Sequence, residues 1–284
     1  MNLLFVGGGN MATALIGGLL SSKASIAHLH ILEPEPKAQE TLKSRFNAEM
    51  RSNGIEFTVS ATECPETLLN AKAVTWSVLA VKPQQMQEAC QSAAPAFRAV
   101  LSHSMLLSIA AGISIDAIHR WCGNSHIVRA MPNTPALVAQ GITGLFAHPS
   151  VSSAARAQAQ ALMNAVGKTV WIDQEGLMDA VTALSGSGPA YVFRFIEALT
   201  EAGTALGLTS SQSEQLAIET MKGAISLLES SGEAPAVLRA KVTSKGGTTA
   251  AALASLERDQ FMTIVAKALQ AARDRGHDLS NEFK

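Results

Sequence analysis

The chain has 284 residues, 47% of them hydrophobic and 16% charged, which is enough apolar material for one or two buried cores. Its net charge is −1 and no segment gathers lysines and arginines, so we expect no nucleic-acid partner. No apolar run approaches the roughly 18 residues of a membrane span. The three cysteines and the histidines lack metal-ligand spacing, and the N-terminus lacks a signal-peptide pattern. We expect a cytoplasmic protein with reduced cysteines and no metal.

Short β-rich runs alternate with helical patterns from the start of the chain to about residue 173. This alternation predicts a doubly wound, mostly parallel, Rossmann-type α/β sheet. Several of the runs are apolar throughout, as strands buried on both faces are. Intervening helices are expected to begin at Pro36, Pro65 and Pro83, because a missing N–H costs little in a first turn. The predicted strands are residues 3–6, 29–32, 55–59, 74–81, 106–109, 127–130 and 170–172.

The strand signal stops after Asp173, and the remaining residues follow the 3.6-residue apolar period of helices. We therefore predict two domains, a sheet domain over residues 1–173 and an all-helical domain over residues 174–284. Ala- and Gly-rich helices make a thin core alone, so a second copy covering the same faces is favoured over a monomer. Two apolar stripes are expected to be core first and interface second: Val192, Phe195, Ile196, Leu199, Gly203 and Leu206, then Phe261, Ile264, Val265, Ala268, Leu269 and Ala272.

The first predicted strand runs into a glycine-rich turn, Gly7-Gly8-Gly9-Asn10-Met11-Ala12, which has the G-x-G-x-x-A form of a dinucleotide-binding turn. Gly7 would permit the tight turn and Gly9 would let the backbone reach a pyrophosphate, while Ala12 would pack closely on the strand. The helix that follows would offer free N–H groups to the phosphates. A tight turn without a ligand is the alternative.

Glu33 follows the second predicted strand, where a carboxylate would accept hydrogen bonds from the adenosine ribose. This position favours NADH, because the 2′-phosphate of NADPH would meet the carboxylate as a like charge unless Lys37 paired with it. A solvated loop acid is the alternative.

Four later segments add to the glycine turn: residues 80–83 (AVKP), 129–135 (RAMPNTP), 184–191 (LSGSGPAY) and 242–249 (VTSKGGTT). In their order and spacing they resemble the pyrroline-5-carboxylate reductase family over essentially the whole chain. The resemblance implies reduction of the cyclic imine of 1-pyrroline-5-carboxylate to L-proline, the last step of proline biosynthesis, by hydride from NADPH or NADH. It also implies a homodimer, or a higher homo-oligomer, built by the helical domain, with each pocket completed by the partner chain.

The resemblance assigns further residues to the cofactor site. Besides Gly7, Gly8, Gly9 and Ala12 of the turn, they are Asn10, Met11, Val81, Lys82, Pro83 and Ala111. The later ones lie just beyond the ends of predicted strands, where open α/β sheets bind ligands. For Lys82 a surface lysine is the alternative. Residues 131–134 are expected near the nicotinamide, or else to form only a rigid proline loop.

The substrate carboxylate needs donors, and residues 244–249 precede a predicted helix whose first N–H groups suit an anion. The substrate-binding candidates here are Ser244, Gly246, Gly247, Thr248 and Thr249. An ordinary Ser/Thr-capped helix start is the alternative. By resemblance, Thr249 meets the ring nitrogen of the substrate, and we expect it to orient the iminium or relay a proton.

Glu175 matches a family glutamate associated with the substrate, and a solvated acid at the domain junction is the alternative. Ser187 is expected to cap the helix that begins near Pro189. Lys245 departs from the family, because proline is common there, and Glu33 departs from relatives that carry a small hydroxyl residue for NADPH.

Two other functions remain open. One is a reductase of another small cyclic imine or oxo acid. The other is a non-catalytic NAD(P)-binding regulator, for which we would expect a damaged substrate loop.

Overall fold

The computed structural model describes residues 1–62, 75–91 and 95–282. Contacts divide the chain into two compact units, one of Met1–Ser187 with the end of the chain from Ala272, and one of Gly188–Ala271. This division falls elsewhere than residue 173, and the domain boundary there stays a prediction. Cys64, the helix start at Pro65 and the beginning of the predicted strand at residue 74 lie outside the described residues.

The first unit is built on one sheet with the strand order β3-β2-β1-β4-β5-β6-β7-β8 among the described residues. Every neighbouring pair is parallel except β6 and β7, which are antiparallel. The mostly parallel, doubly wound sheet is therefore confirmed. The strands are β1 (Asn2–Val6), β2 (His28–Leu32), β3 (Glu56–Ser60), β4 (Trp76–Leu79), β5 (Met105–Ser108), β6 (Ile127–Met131), β7 (Gly141–Ala147) and β8 (Gly167–Trp171).

Strand β7 is the one the sequence pattern missed. Gly141 and Gly144 weaken its strand signal, because glycine is depleted in strand interiors. Close packing explains both glycines. A Cβ on Gly144 would lie 2.6 Å from Cγ1 of Val181, and a Cβ on Gly141 would lie 2.9 Å from the carbonyl oxygen of Val166, just before β8.

Helices cover both faces of this sheet, because successive side chains of a strand point to opposite faces and both sets are buried in the central strands. Leu3 and Phe5 belong to one apolar cluster and Leu4 and Val6 to another on the opposite face. Helix starts at Pro36 and Pro83 are confirmed. The helices of this unit are α1 (Asn10–Ser21), α2 (Pro36–Ser52), α3 (Pro83–Cys90), α4 (Pro95–His103), α5 (Ile115–Cys122), α6 (Ser153–Asn164) and the single turn α7 (Met178–Val181).

The second unit is helical, as predicted, but it has little core of its own. It contains α8 (Gly188–Ala205), α9 (Ser210–Ser231), α10 (Pro235–Lys241), α11 (Thr248–Arg258) and the beginning of α12 (Phe261–Glu282). In α8 to α11 the buried residues are Ser213 and Ala217. The expectation that the two apolar stripes are core is wrong, since Val192, Leu206 and Ile264 are exposed. The helices of this unit therefore leave much of their apolar surface uncovered within one chain. Within the described ranges, no helix is long and apolar enough to cross a membrane.

Candidate active site

In the glycine turn after β1, neighbouring backbone packs closely against Gly7, whereas the space beside Gly9 is empty. Gly7 has a φ of +98°, and a Cβ there would lie 2.8 Å from the carbonyl oxygen of Ala80 at the end of β4. Gly9 has an ordinary φ of −67°, and a Cβ there would meet nothing within 4 Å. The fold therefore requires glycine at position 7, whereas at position 9 glycine keeps the backbone accessible, as a pyrophosphate would require.

Helix α1 begins directly at this turn without a side-chain cap. Gly9 is its N-cap residue and no side chain accepts a hydrogen bond from its first turn. By contrast, Ser114 caps α5 and Ser152 caps α6 through their hydroxyl oxygens. The first N–H groups of α1 are thus left for solvent or an anion, with the positive end of the helix dipole behind them. Exposed Asn10, half-buried Met11 and fully buried Ala12 form this first turn.

Glu33 is attached to the glycine turn. Its Oε2 accepts a hydrogen bond from the Gly8 N–H at 2.8 Å, and its Oε1 accepts one from the Glu35 N–H at 3.0 Å. The alternative of a freely solvated loop acid is therefore wrong. The half-buried carboxylate lies between the turn that follows β1 and the turn that follows β2, and its contact with a ribose stays a prediction.

The other cofactor candidates follow β4 and β5, which are the next strands in the sheet order after β1. Parallel strands bring these segments to the same edge of the sheet. Val81 is half-buried, and its Cγ1 would lie 3.0 Å from a Cβ on Gly7, so it adjoins the glycine turn. Lys82 is exposed and precedes α3, which Pro83 begins. Ala111 is half-buried in the segment that joins β5 to α5.

The segment after β6 is held by Asn133. Its side-chain amide donates to the Ser185 carbonyl at 3.1 Å, and its Oδ1 accepts from the Ile142 N–H at 3.0 Å. These bonds give the segment a structural role, and its proximity to the nicotinamide stays a prediction. Ser187 has helical dihedral angles, φ −83° and ψ −17°, so it is not the expected cap, because an N-cap residue has extended angles.

Glu175 follows β8 and joins two other elements. Its Oε1 accepts a hydrogen bond from Nη1 of Arg129 on β6 at 2.7 Å and another from the Ile115 N–H at the start of α5 at 2.7 Å. A solvated junction acid does not describe this geometry. In the sequence, Arg129 stood out only as the first residue of the segment 129–135 and not as a site residue, although an arginine is unusual inside the apolar run of a buried strand.

The candidate substrate loop lies in the second unit, before α11. Gly246 has a φ of +73°, and Gly247 is the N-cap residue, whose Cβ would collide with Oγ of Ser244. No side chain caps α11, so the alternative of an ordinary Ser/Thr cap is wrong. Thr248 is exposed and Thr249 half-buried in the first turn, where the N–H groups lack partners from the helix.

The two cysteines that the structure describes are one buried and one half-buried thiol. Cys90 and Cys122 are free, and they end the neighbouring helices α3 and α5. A hydrogen bond with Cys122, followed by burial, raises the pKa of the Cys90 thiol above its usual range, which disfavours the reactive thiolate. Within the part of the chain that the structure describes, no group of three or more His, Cys, Asp or Glu side chains could hold a metal ion.

Two family models match this chain, one in its N-terminal part and one in its C-terminal part. Residues 175–279 match the family model described as pyrroline-5-carboxylate reductase dimerisation, and residues 2–112 match the one described as NADP oxidoreductase coenzyme F420-dependent. The pyrroline-5-carboxylate reductase of Pseudomonas aeruginosa is 41% identical over 282 residues, covering 99% of this chain and 97% of the relative.

Two solved structures are similar over nearly the whole chain. A pyrroline-5-carboxylate reductase from Coxiella burnetii has a TM-score of 0.85 and 34% identity, covering 98% of both chains. The Plasmodium falciparum pyrroline carboxylate reductase with NADP bound has a TM-score of 0.77 and 29% identity, covering 99% of this chain and 98% of the other. With its glycine turn, mostly parallel sheet and helical unit, this chain belongs to the pyrroline-5-carboxylate reductase family.

Proposed function

We propose that this protein reduces the C=N bond of 1-pyrroline-5-carboxylate to L-proline with NADH or NADPH. The observation that carries the proposal is a pair of helix starts, at α1 and α11, that are capped by glycine and by no side chain. The reaction needs two anions to be held, the pyrophosphate of the cofactor and the carboxylate of the substrate. A glycine-capped helix start suits each of them.

The residues of the first unit fit a dinucleotide. The accessible backbone at Gly9 and the free N–H groups of α1 would hold the pyrophosphate, and Glu33 would accept hydrogen bonds from the adenosine ribose. The segments that follow β4 and β5, with Val81, Lys82 and Ala111, would lie against the nicotinamide and its ribose. When bound, the nicotinamide supplies the hydride that the reduction consumes. The protein has to orient that group and exclude water.

The residues of the loop before α11 fit a small amino-acid-like substrate. The first N–H groups of α11 would bind its carboxylate, and Lys245 would add a cation nearby. The hydroxyl of Thr249 would meet the ring nitrogen. A threonine hydroxyl is a poor acid, so we propose that the imine binds as its protonated iminium, which Thr249 orients. Glu175 stays a candidate substrate residue, although Arg129 already pairs with its charge.

We also propose that the active protein is a homodimer formed through the second unit. Large apolar side chains are exposed there, among them Phe193 at 61% and Leu206 at 87%. A second copy would give these helices the core that they lack, as the match to a dimerisation model supports. The cytoplasm is the compartment we propose, because Cys90 and Cys122 are free thiols.

The test is the loss of near-ultraviolet NADH absorbance when 1-pyrroline-5-carboxylate is added to the purified protein, repeated with NADPH and paired with detection of proline. Oxidation with stoichiometric proline supports the proposal. A folded protein that binds NADH but reduces only another cyclic imine or an oxo acid would point to the first alternative. Binding without turnover of any such substrate would point to the regulator.

A further inference from the structure

We propose that Arg129 is a positioning residue for the cofactor, acting through Glu175, which holds the segment that joins β5 to α5. This inference rests on the proposed function, because that segment, residues 109–114, contains the cofactor candidate Ala111. It assigns Glu175 a role different from the substrate contact that the family resemblance implies.

The contact joins three elements, at the middle of a strand and at the first residues of a turn and a helix. Arg129 extends from β6, Glu175 begins the turn after β8, and Ile115 begins α5. One oxygen, Oε1 of Glu175, accepts from both the Arg129 guanidinium and the Ile115 N–H, each at 2.7 Å. Charge-assisted hydrogen bonds of this length are the strong ones. Glu175 therefore links β6 to the first residue of α5.

Burial makes this link depend on both partners. The Arg129 side chain is 9% exposed and that of Glu175 is 29% exposed. Nε of Arg129 and Oγ of Ser108, which are paired in register on β6 and β5, are buried without a hydrogen-bond partner in the described residues. The negative charge of Glu175 thus offsets the desolvation cost of the buried Arg129 guanidinium. An apolar residue at position 129 would carry no such cost. Stability alone is a weak reason for an arginine here.

The linked segment is held at both of its ends, and between them Ala111 is only half-buried, whereas Ile113 and Ile115 are buried in an apolar cluster. Backbone hydrogen bonding anchors its beginning, where the Ile109 N–H donates to the Leu79 carbonyl at 3.1 Å. Gly112 then takes a φ of +74°, which lets the chain turn, and Ser114 caps the Ala117 N–H. The Ile115 N–H is held by Glu175, in a position where the helix dipole also favours a carboxylate. Loss of the ion pair should loosen the start of α5 at the Ile115 N–H and let the half-buried Ala111 shift.

The two roles of Glu175 predict different kinetic signatures. A substrate contact should raise the KM for 1-pyrroline-5-carboxylate and leave NADH binding unchanged when Glu175 is altered. A link to the cofactor segment should weaken NADH binding in the absence of any imine, and Arg129 should behave in the same way.

The experiment compares Arg129→Met, Arg129→Lys, Glu175→Gln and the double variant Arg129→Met/Glu175→Gln. Arg275→Met is the matched control, because it removes an exposed Arg–Glu pair with Glu282. NADH dissociation constants are measured by fluorescence titration without imine, together with Tm and amide hydrogen exchange at Ile115. Arg129→Met should raise the NADH Kd about tenfold and speed exchange at Ile115, with Arg129→Lys recovering most of the affinity.

Coupling between the two residues should appear in the double variant, whose NADH Kd should be no worse than that of Arg129→Met alone. A lower Tm with an unchanged NADH Kd in the folded single variants would overturn the proposal, because that is the result of a purely structural ion pair. If Arg129→Met does not fold, the isosteric Glu175→Gln is judged by the same criterion. Failure of the wild-type protein to reduce the imine would reject the proposed function, while the NADH titrations would still test this link.

Discussion

Glu33 offers a direct test of how this chain discriminates between NADH and NADPH. Its carboxylate holds the Gly8 and Glu35 N–H groups at 2.8 and 3.0 Å, so it is fixed beside the glycine turn. Glu33→Gln removes the charge and keeps one amide oxygen, which can still accept from the Gly8 N–H, while the exposed Glu35 N–H loses its acceptor and turns to solvent. The variant should therefore keep the bond to the glycine turn and remove the negative charge at the predicted ribose site.

The size of the effect follows from the charge and its half-buried position. Two like charges about 4 Å apart repel by about 1 kcal/mol in water and about 4 kcal/mol at the effective dielectric constant near a protein surface. A value of about 2 kcal/mol between these limits corresponds to about a 30-fold change in relative affinity. Glu33→Gln should shift the ratio of kcat/KM for NADPH over that for NADH upward by about this factor, and Glu33→Ser should shift it in the same direction.

The measurement is a pair of initial-rate series with each cofactor at saturating imine, supported by direct titrations of both cofactors. Glu35→Gln is the matched control, because Glu35 is an exposed acid two residues away whose side chain is not bonded to the turn. An unchanged cofactor ratio in Glu33→Gln, with the fold intact, would refute the assignment of Glu33 to the ribose. An equal shift in both variants would show that general surface charge, rather than Glu33, sets the preference.

Three further predictions concern the turn, the substrate loop and the helical unit. Gly9→Ala should leave Tm unchanged yet weaken NADH binding in titrations. Gly7→Ala should instead lower the free energy of unfolding by about 2–4 kcal/mol in denaturant melts. An equal loss of stability in both variants would contradict the different roles of the two glycines. Thr249→Val should lower kcat about a hundredfold with NADH affinity kept, and unchanged turnover would discard that role. Phe193→Glu should shift the protein toward monomers in analytical ultracentrifugation, and a persistent dimer would place the interface elsewhere.

Local patterns were enough to predict the layout of the sheet unit. The apolar runs predicted every described strand except β7, and the G-x-G-x-x-A spacing indicated the turn before α1. These features are encoded over a few residues, because strand burial and tight turns depend on neighbouring side chains. Strand β7 was not predicted, because its glycines are required by close contacts with Val181 and with the chain at the start of β8. Both of these are distant from β7 in sequence.

In the candidate site, too, some features follow from local sequence and others depend on tertiary contacts. By itself, the sequence determined the glycine turn, the helical character of the chain after β8 and the family. It also named the candidate residues for holding the two anions, and these assignments stay predictions. Only the tertiary structure decided that Glu33 is bonded to Gly8, that α1 and α11 are uncapped, and that Arg129, Glu175 and Ile115 meet. Arg129 and Glu175 are 46 positions apart in sequence, and the order of the strands makes them neighbours. Burial then makes each charge depend on its partner, because an unpaired buried charge is costly. A linear pattern contains neither the partner nor the burial, so neither can be inferred from it.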